Sequence, residues 1–285
     1  MFVKSLKGNP NSDKIFANCF KKYNNLYTAM NFDNQAVEVR VPADLPDKLS
    51  VNVQNYSKQI NFDSLTFLNC RTILNEIISN TSNIGFINVS RADDGILRKM
   101  PVFVKYKNKF YPQLAFKVGL DLTNNNTDNF VIDKNSNLIL KNRKIYLDKD
   151  GSAILNWYGT TGTYQHIPFY KILKSMQNGQ KNEFDFENKT VYFGTTASSL
   201  FDIKTVPVSK LYPGVEVQAT YVNNFLDNNF ITKVNSKITI LTGIILATIV
   251  GFTVINISSS AIISVIVLSQ YSLYLVISYL LMKYA

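Results

Sequence analysis

The chain has 285 residues, room for one sizeable domain and an appendage, because single cores stop growing near ~250–300 residues. Its formal net charge is +10, yet Lys and Arg recur singly from Lys4 to Lys233 without a dense run. That pattern excludes a basic nucleic-acid stripe and reads as a solvated, lysine-rich surface. Cys19 and Cys70 are the only cysteines and form no CxxC pair, so neither a disulfide framework nor a zinc site is encoded; two isolated small core residues are expected, with a single bridge as the alternative.

Met1-Phe2-Val3-Lys4 lacks the apolar stretch of a secretion signal, and the chain reads as cut short at its front. Ser12 is expected to cap a helix carrying Ile15, Phe16, Cys19, Phe20, Tyr23, Leu26, Tyr27 and Met30 on one apolar face. Residues 36–41 alternate as a strand does, and residues 44–63 read as a polar loop with Pro42 and Pro46 as breakers. A second helix is expected over about 72–79, before the apolar run 84–89. Arg91-Ala92-Asp93-Asp94-Gly95 is a turn signal, and Leu97 with residues 101–106 resumes as a strand, so a hairpin is predicted here. Pro112 suits the first turn of a helix through Leu114, Ala115, Val118 and Leu120, followed by a polar loop over 123–128.

Three short strands are predicted at 130–133, 138–140 and 144–147, with Lys141-Asn142-Arg143 as a turn. Asp150-Gly151 opens the run 153–158, and Pro168 sits where a helix through Ile172, Leu173 and Met176 would start. Residues 190–193 read as a buried strand ending in Gly194. After a loop with Asp202, Pro207 and Pro213-Gly214, apolar residues at Val215, Ala219, Val222, Phe225 and Leu226 make a last helix. Strands and helices alternate, so the fold class is α/β: a layered mixed sheet with flanking helices.

From 238 to 282 there is no charged side chain. One helix of that span would be about 67 Å long at ~1.5 Å per residue, against a bilayer core of ~30 Å. Asn256 and Ser258-Ser259-Ser260 divide the run into 238–255 and 261–282, each close to the ~20 apolar residues of one crossing. A C-terminal two-helix transmembrane hairpin behind a domain over residues 1–235 follows, with membrane lipid as its surroundings. Lys233, Lys237 and Lys283 flank one side of the hairpin, and the positive-inside tendency puts that side in the cytoplasm.

The chemistry legible in the sequence is sparse. His166 is the only histidine, which removes His-based triads and paired-His metal sites, and it reads as a surface or helix-cap residue before Pro168. GxxxxGK[ST], GxGxxG and GxSxG are absent, and no cofactor is expected. Asp94 and Arg98 can sit on one rim of the predicted hairpin, either open to an ionic ligand or paired with each other across a turn closed by Gly95. Gly194-Thr195-Thr196-Ala197 would follow a strand at its carboxyl end, where open α/β sheets bind ligands, with Asp202 and Thr205 nearby in sequence. Pro207, Pro213 and Gly214 read as structural turn residues, with Glu216 near the positive end of the last helix. Trp157 and Tyr158 beside Gly159 could stack on a ligand or belong to the core.

Seven sequence pieces in this order resemble the CHASE2 family of extracytoplasmic sensor domains in bacterial transmembrane receptors. They are Gly85-Phe86-Ile87-Asn88-Val89; Asp94-Gly95-Ile96-Leu97-Arg98 with Pro101; Asp150-Gly151; Asn156-Trp157-Tyr158-Gly159; Val191-Tyr192-Phe193-Gly194-Thr195-Thr196-Ala197; Leu200-Phe201-Asp202 with Thr205, Val206 and Pro207; and Tyr212-Pro213-Gly214-Val215-Glu216-Val217-Gln218-Ala219. The resemblance spans residues 13–230. It implies a domain outside the cytoplasm, against the vote of the flanking lysines, that binds a small-molecule or envelope ligand, does no chemistry itself and signals across the membrane. Family members commonly start with a transmembrane helix and an opening α/β stretch, and continue into a cytoplasmic cyclase, kinase or phosphatase domain. This sequence reads as a fragment lacking both, and is expected to act through a separate output protein or a homodimer. Gln218 stands where the family pattern often has His. The rival expectations are an envelope-binding protein without signalling and a hydrolase using carboxylates such as Asp94 and Asp202.

Overall fold

Residues Pro10–Lys22 form α1, which stops well short of the predicted helix. Asn24 and Asn25 compete for backbone hydrogen bonds and break it, and beyond them the apolar period changes from helical to alternating. Thr28–Asp33 is therefore a strand, β1, with Met30 and Phe32 both buried on one side. The computed structural model describes residues 10–34, 45–71, 73–89, 92–179, 184–196, 202–234 and 236–284. The strand predicted at 36–41 lies outside the described residues, as do Arg91, Ala197, Leu200 and Phe201.

The span expected to be polar loop contains a 3-10 turn at Asp47–Leu49 and the strand β2 at Asn52–Asn55, and a second 3-10 turn starts at its end, Asp63–Leu65. Its polar side chains misled the reading: β2 lies at the end of its sheet, so Asn52, Gln54 and Asn55 are exposed while the backbone pairs. Next come β3 (Thr66–Phe67), β4 (Asn69–Arg71), the short helix α2 (Asn75–Asn80) and β5 (Ile84–Phe86). β1 runs antiparallel to β4 and parallel to β5.

The hairpin predicted across residues 91–95 does not form. β5 pairs with β1, while β6 (Lys99–Pro101) pairs antiparallel with β12 (Ser152–Ile154). β7 (Phe103–Tyr106) pairs with β3 and with β8 (Lys109–Pro112). A tight turn with Lys107 and Asn108 both at positive φ is thus the real hairpin of this region. Pro112 closes β8 and Gln113 caps α3 (Leu114–Leu122), its side-chain oxygen accepting from the Ala115 and Phe116 backbone N–H groups.

The three predicted strands are β9 (Asn129–Ile132), β10 (Asn137–Ile139) and β11 (Lys144–Tyr146), a meander that β2 joins in parallel through β9. After β12 comes α4 (Phe169–Gln177), with Pro168 at its N-cap. Residues 190–193 are not a strand: Val191 is 59% and Phe193 79% exposed, the Phe193 ring resting on that of Phe169. An apolar run alone does not distinguish a buried strand from an extended surface segment. β13 (Ile203–Val206) and β14 (Ser209–Pro213) form a hairpin turned by Pro207 and Val208, and α5 (Gly214–Asp227) follows.

Among the described residues the sheets are small, and single bridges join them: Val51 to Phe110 and Phe86 to Gln113. One core unites them, rich in fully buried rings such as Phe32, Phe86, Phe103, Phe116, Phe130 and Phe225. α3 and α5 pack closely because Gly119 has no side chain; a Cβ there would lie 2.6 Å from the Phe225 ring. Both cysteines are free, and burial pushes the Cys70 thiol up to about 12.

The chain divides into two compact units, Met1–Thr232 and Lys233–Ala285. In the second, α6 (Ser236–Asn256) and α7 (Ser260–Tyr284) meet at the predicted polar break. Both are long and apolar enough to cross a membrane, over Thr239–Asn256 and Ser260–Tyr279 with mean hydropathy 2.0 and 1.9. Several of their hydroxyls bond to their own helix backbone: Thr248 donates to the Ile244 carbonyl and Ser272 to that of Leu268, at 2.8 and 2.9 Å. This is what a solvent without hydrogen-bonding partners demands.

Candidate functional site

α5 supplies the frame on which most of the singled-out residues meet. Pro213, in extended conformation, is its N-cap, and the Gly214 N–H donates 2.8 Å to the Asp202 carbonyl. The Asp202 carboxylate lies over Gly214, where any side chain would collide with it, and accepts from Lys204 Nζ at 3.0 Å. A carboxylate at this end complements the helix dipole. Gly194 abuts the same turn, since a Cβ there would lie 2.8 Å from the Val215 side chain. Thr195 and Thr196 beside it are exposed. Gly194, Asp202 and Gly214 thus converge at the start of α5.

Thr205 links this start of α5 to the Asp94 turn: its carbonyl accepts from the Leu97 N–H at 2.8 Å, while its hydroxyl donates across the hairpin to the Lys210 carbonyl at 3.3 Å. Gly95 holds φ +76° in that turn, a conformation that side chains disfavour. Asp94 and Arg98 pair with each other, at 3.0 and 2.7 Å. The Arg98 guanidinium, joined by the Ile96 N–H, holds the Asp94 carboxyl down at about 2. The pair is exposed and closes its own turn, so of the two readings left open by the sequence the local one describes this geometry.

Along its length α5 is gripped by Asn156-Trp157-Tyr158. Asn224, fully buried, accepts from the Asn156 N–H at 2.7 Å and donates to the Asn156 carbonyl at 2.8 Å, so its amide acts as a strand partner. The Trp157 ring meets Tyr212 edge-on at 5.4 Å, and Tyr158 donates to Asp227 at 2.6 Å. Trp157 and Tyr158 are therefore packing residues here, while Gly159 sits against Thr163 in the loop that follows. Gln218 accepts from the buried Gln113 amide at 3.0 Å, joining the cap of α3 to α5.

Sequence reasoning missed the partnership of Glu216 and His166. Glu216 is only 2% exposed; it accepts from the Gly162 N–H at 3.2 Å and lies 3.1 Å from His166 Nε2. An acid between Val215 and Val217 on an apolar helix was the available signal, because a buried carboxylate requires partners. Beside it Tyr164 donates to Thr220 at 3.2 Å, and Thr220 also contacts the Tyr212 hydroxyl at 3.2 Å. Burial pushes the Tyr212 phenol up to about 12 and that of Tyr192 higher still, so both remain protonated at neutral pH. The Tyr192 hydroxyl is buried without a hydrogen-bond partner among the described residues. Among those residues no group of three or more His, Cys, Asp or Glu is placed to hold a metal ion.

The family model described as the CHASE2 domain matches residues 2–253. The chain belongs to the CHASE2 family. CHASE2 domains are extracellular sensor domains, which gives this α/β unit a sensory role. No curated protein and no solved structure matches the chain. The described CHASE2 motif pieces from 156–159, 191–196, 202–207 and 212–219 all touch or form α5, so this half of the family pattern marks one helix and the segments that hold it.

Proposed function

We propose that the chain is a membrane-bound sensor: its α/β domain lies outside the cytoplasm, binds a small molecule or envelope component, and passes the signal through α5 to a multi-pass membrane hairpin. The observation that carries this reading is the way the sensor-family helix α5 leaves its domain. Asn228, at φ +52°, ends the helix, and the Ile231 N–H donates 3.0 Å to the Ile154 carbonyl. Only residues 232–235 then intervene before α6. In this proposal a change in how α5 packs is passed along the short stretch of chain that leads to α6.

A ligand shifts such packing only if it binds the two arrangements with different affinity. The domain itself performs no chemistry in this proposal: Asp94 and Asp202 are each engaged by their own cation, Arg98 and Lys204. The signal passes to a partner, either a separate output protein or a second copy.

The test is hydrogen exchange on the full chain in lipid nanodiscs, with and without a small-molecule library. Ligand-dependent change in the peptides of α5 supports the proposal. Saturable binding that leaves α5 exchange untouched would refute transmission, and a library without a single binder would refute sensing.

A further inference from the structure

Beside the face of α3 that carries Lys117 and Asp121 lies a cleft of about 300 Å³, at the lower end of the ~300–1,000 Å³ typical of small-molecule sites. Pro112 and Phe130 contribute apolar walls, and Asp128 and Asn126 come from the loop before β9. Lys117 is half-buried, and no hydrogen bond or ion pair reaches its ammonium among the described residues. Burial lowers its pKa, and the charges of Asp121 and Asp128 offset this only in part. Asp121 itself accepts a hydrogen bond from the Tyr27 hydroxyl, which fixes that carboxylate in place.

Withdrawing an ammonium from water without a direct partner costs stability, and such costs persist where a site needs them. One cation between two carboxylates also sets a charge rule. A simple anion drawn to Lys117 is repelled by Asp121 and Asp128, and a simple cation is repelled by Lys117. A molecule carrying both charges satisfies all three groups, its acid on Lys117 and its ammonium toward Asp121 and Asp128.

We propose that this cleft is the sensor's ligand site and that it takes a small zwitterion of the amino-acid type. The assignment rests on the sensor reading and adds the place and the chemical class of the ligand.

The experiment uses the full chain in nanodiscs, titrated singly with the protein amino acids and, as half-molecule controls, with acetate and methylammonium; glucose serves as a neutral polyol. Unfolding is followed through Trp157, the only tryptophan in the chain. At least one amino acid should raise the unfolding midpoint saturably, while acetate, methylammonium and glucose should not. Lys117→Met and Asp128→Asn should each weaken that binding at least about tenfold. Lys117→Met should keep or raise the ligand-free midpoint, because it removes a desolvated charge. Asp128 is exposed, so Asp128→Asn tests the site with the fold intact.

The assignment is overturned if no amino acid binds at about 10 mM, if binding survives both substitutions, or if acetate or glucose binds equally well. Exchange measured in the same samples separates this from the sensor reading. Library compounds that alter α5 without any amino acid binding sink the cleft alone; an amino acid bound through Lys117 with α5 unmoved sinks transmission alone.

Discussion

Asn224→Ala tests whether α5 is held by a side chain standing in for a strand. The substitution deletes two hydrogen bonds, to the N–H and C=O of Asn156, from a residue with no exposed surface. Each such bond contributes about 1–1.5 kcal/mol net, and more if the remaining partner is left dry, so a loss of about 3 kcal/mol is expected. With a urea slope near ~3 kcal/mol per molar for a domain of this size, the midpoint should fall by about 1 M. Trp157, next to Asn156 and with no counterpart in α6 or α7, reports the transition of this unit alone. Asn223→Ala is the matched control, since its amide makes only a long 3.4 Å contact with Tyr164; its midpoint should move by less than about 0.3 M. Equal shifts for the two variants, or an unmoved Asn224→Ala midpoint, would refute the reasoning.

Gly119→Ala should cost about 1–3 kcal/mol in the same urea titration, because the new methyl group meets the Phe225 ring in a filled core. Lys99 donates to Asp148 and Asp150 at 2.8 and 2.9 Å; Lys99→Met should destabilise by about 2 kcal/mol, since it removes a charge-assisted hydrogen bond from each carboxylate and Asp148 is only 8% exposed. Burial pulls the Lys99 pKa down, but the hydrogen bonds to the two aspartates outweigh it and leave it raised. Its contribution is therefore complete below the ordinary lysine pKa and lost as the pH climbs through the raised one, so the wild-type and Lys99→Met midpoints should converge in strong alkali. Asp94 should titrate at about 2 by carboxyl NMR. Because that pKa is depressed, the support its turn draws from Arg98 is present above the ordinary carboxylate range and disappears as the pH falls through about 2.

The two candidate membrane helices were the most legible part of the sequence, because length, apolarity and the break at Asn256 are local properties. The β9–β11 meander and the start of α4 at Pro168 were legible for the same reason. What failed depended on partners remote in sequence. Ile84–Phe86 looked like the first arm of a hairpin, yet its partner is β1, more than fifty residues earlier. Residues 190–193 looked buried because apolarity was all the sequence displayed. The candidate site divides in the same way. Family pieces led to Asp202, Gly194 and Gly214, whereas Glu216 and His166 meet across fifty residues, and Lys117, one of many scattered lysines, had nothing to mark it until the fold supplied Asp128 and a cleft.

α3 is thin enough to serve two masters. Lys117 and Asp121 face the cleft, while Gly119, two positions from either and so on the other side of the helix, bears directly on Phe225 in α5. Close-packed interiors hardly compress, so that contact behaves as a gear tooth without backlash: α3 cannot yield toward α5 by even a few tenths of an ångström unless the Phe225 ring gives way with it.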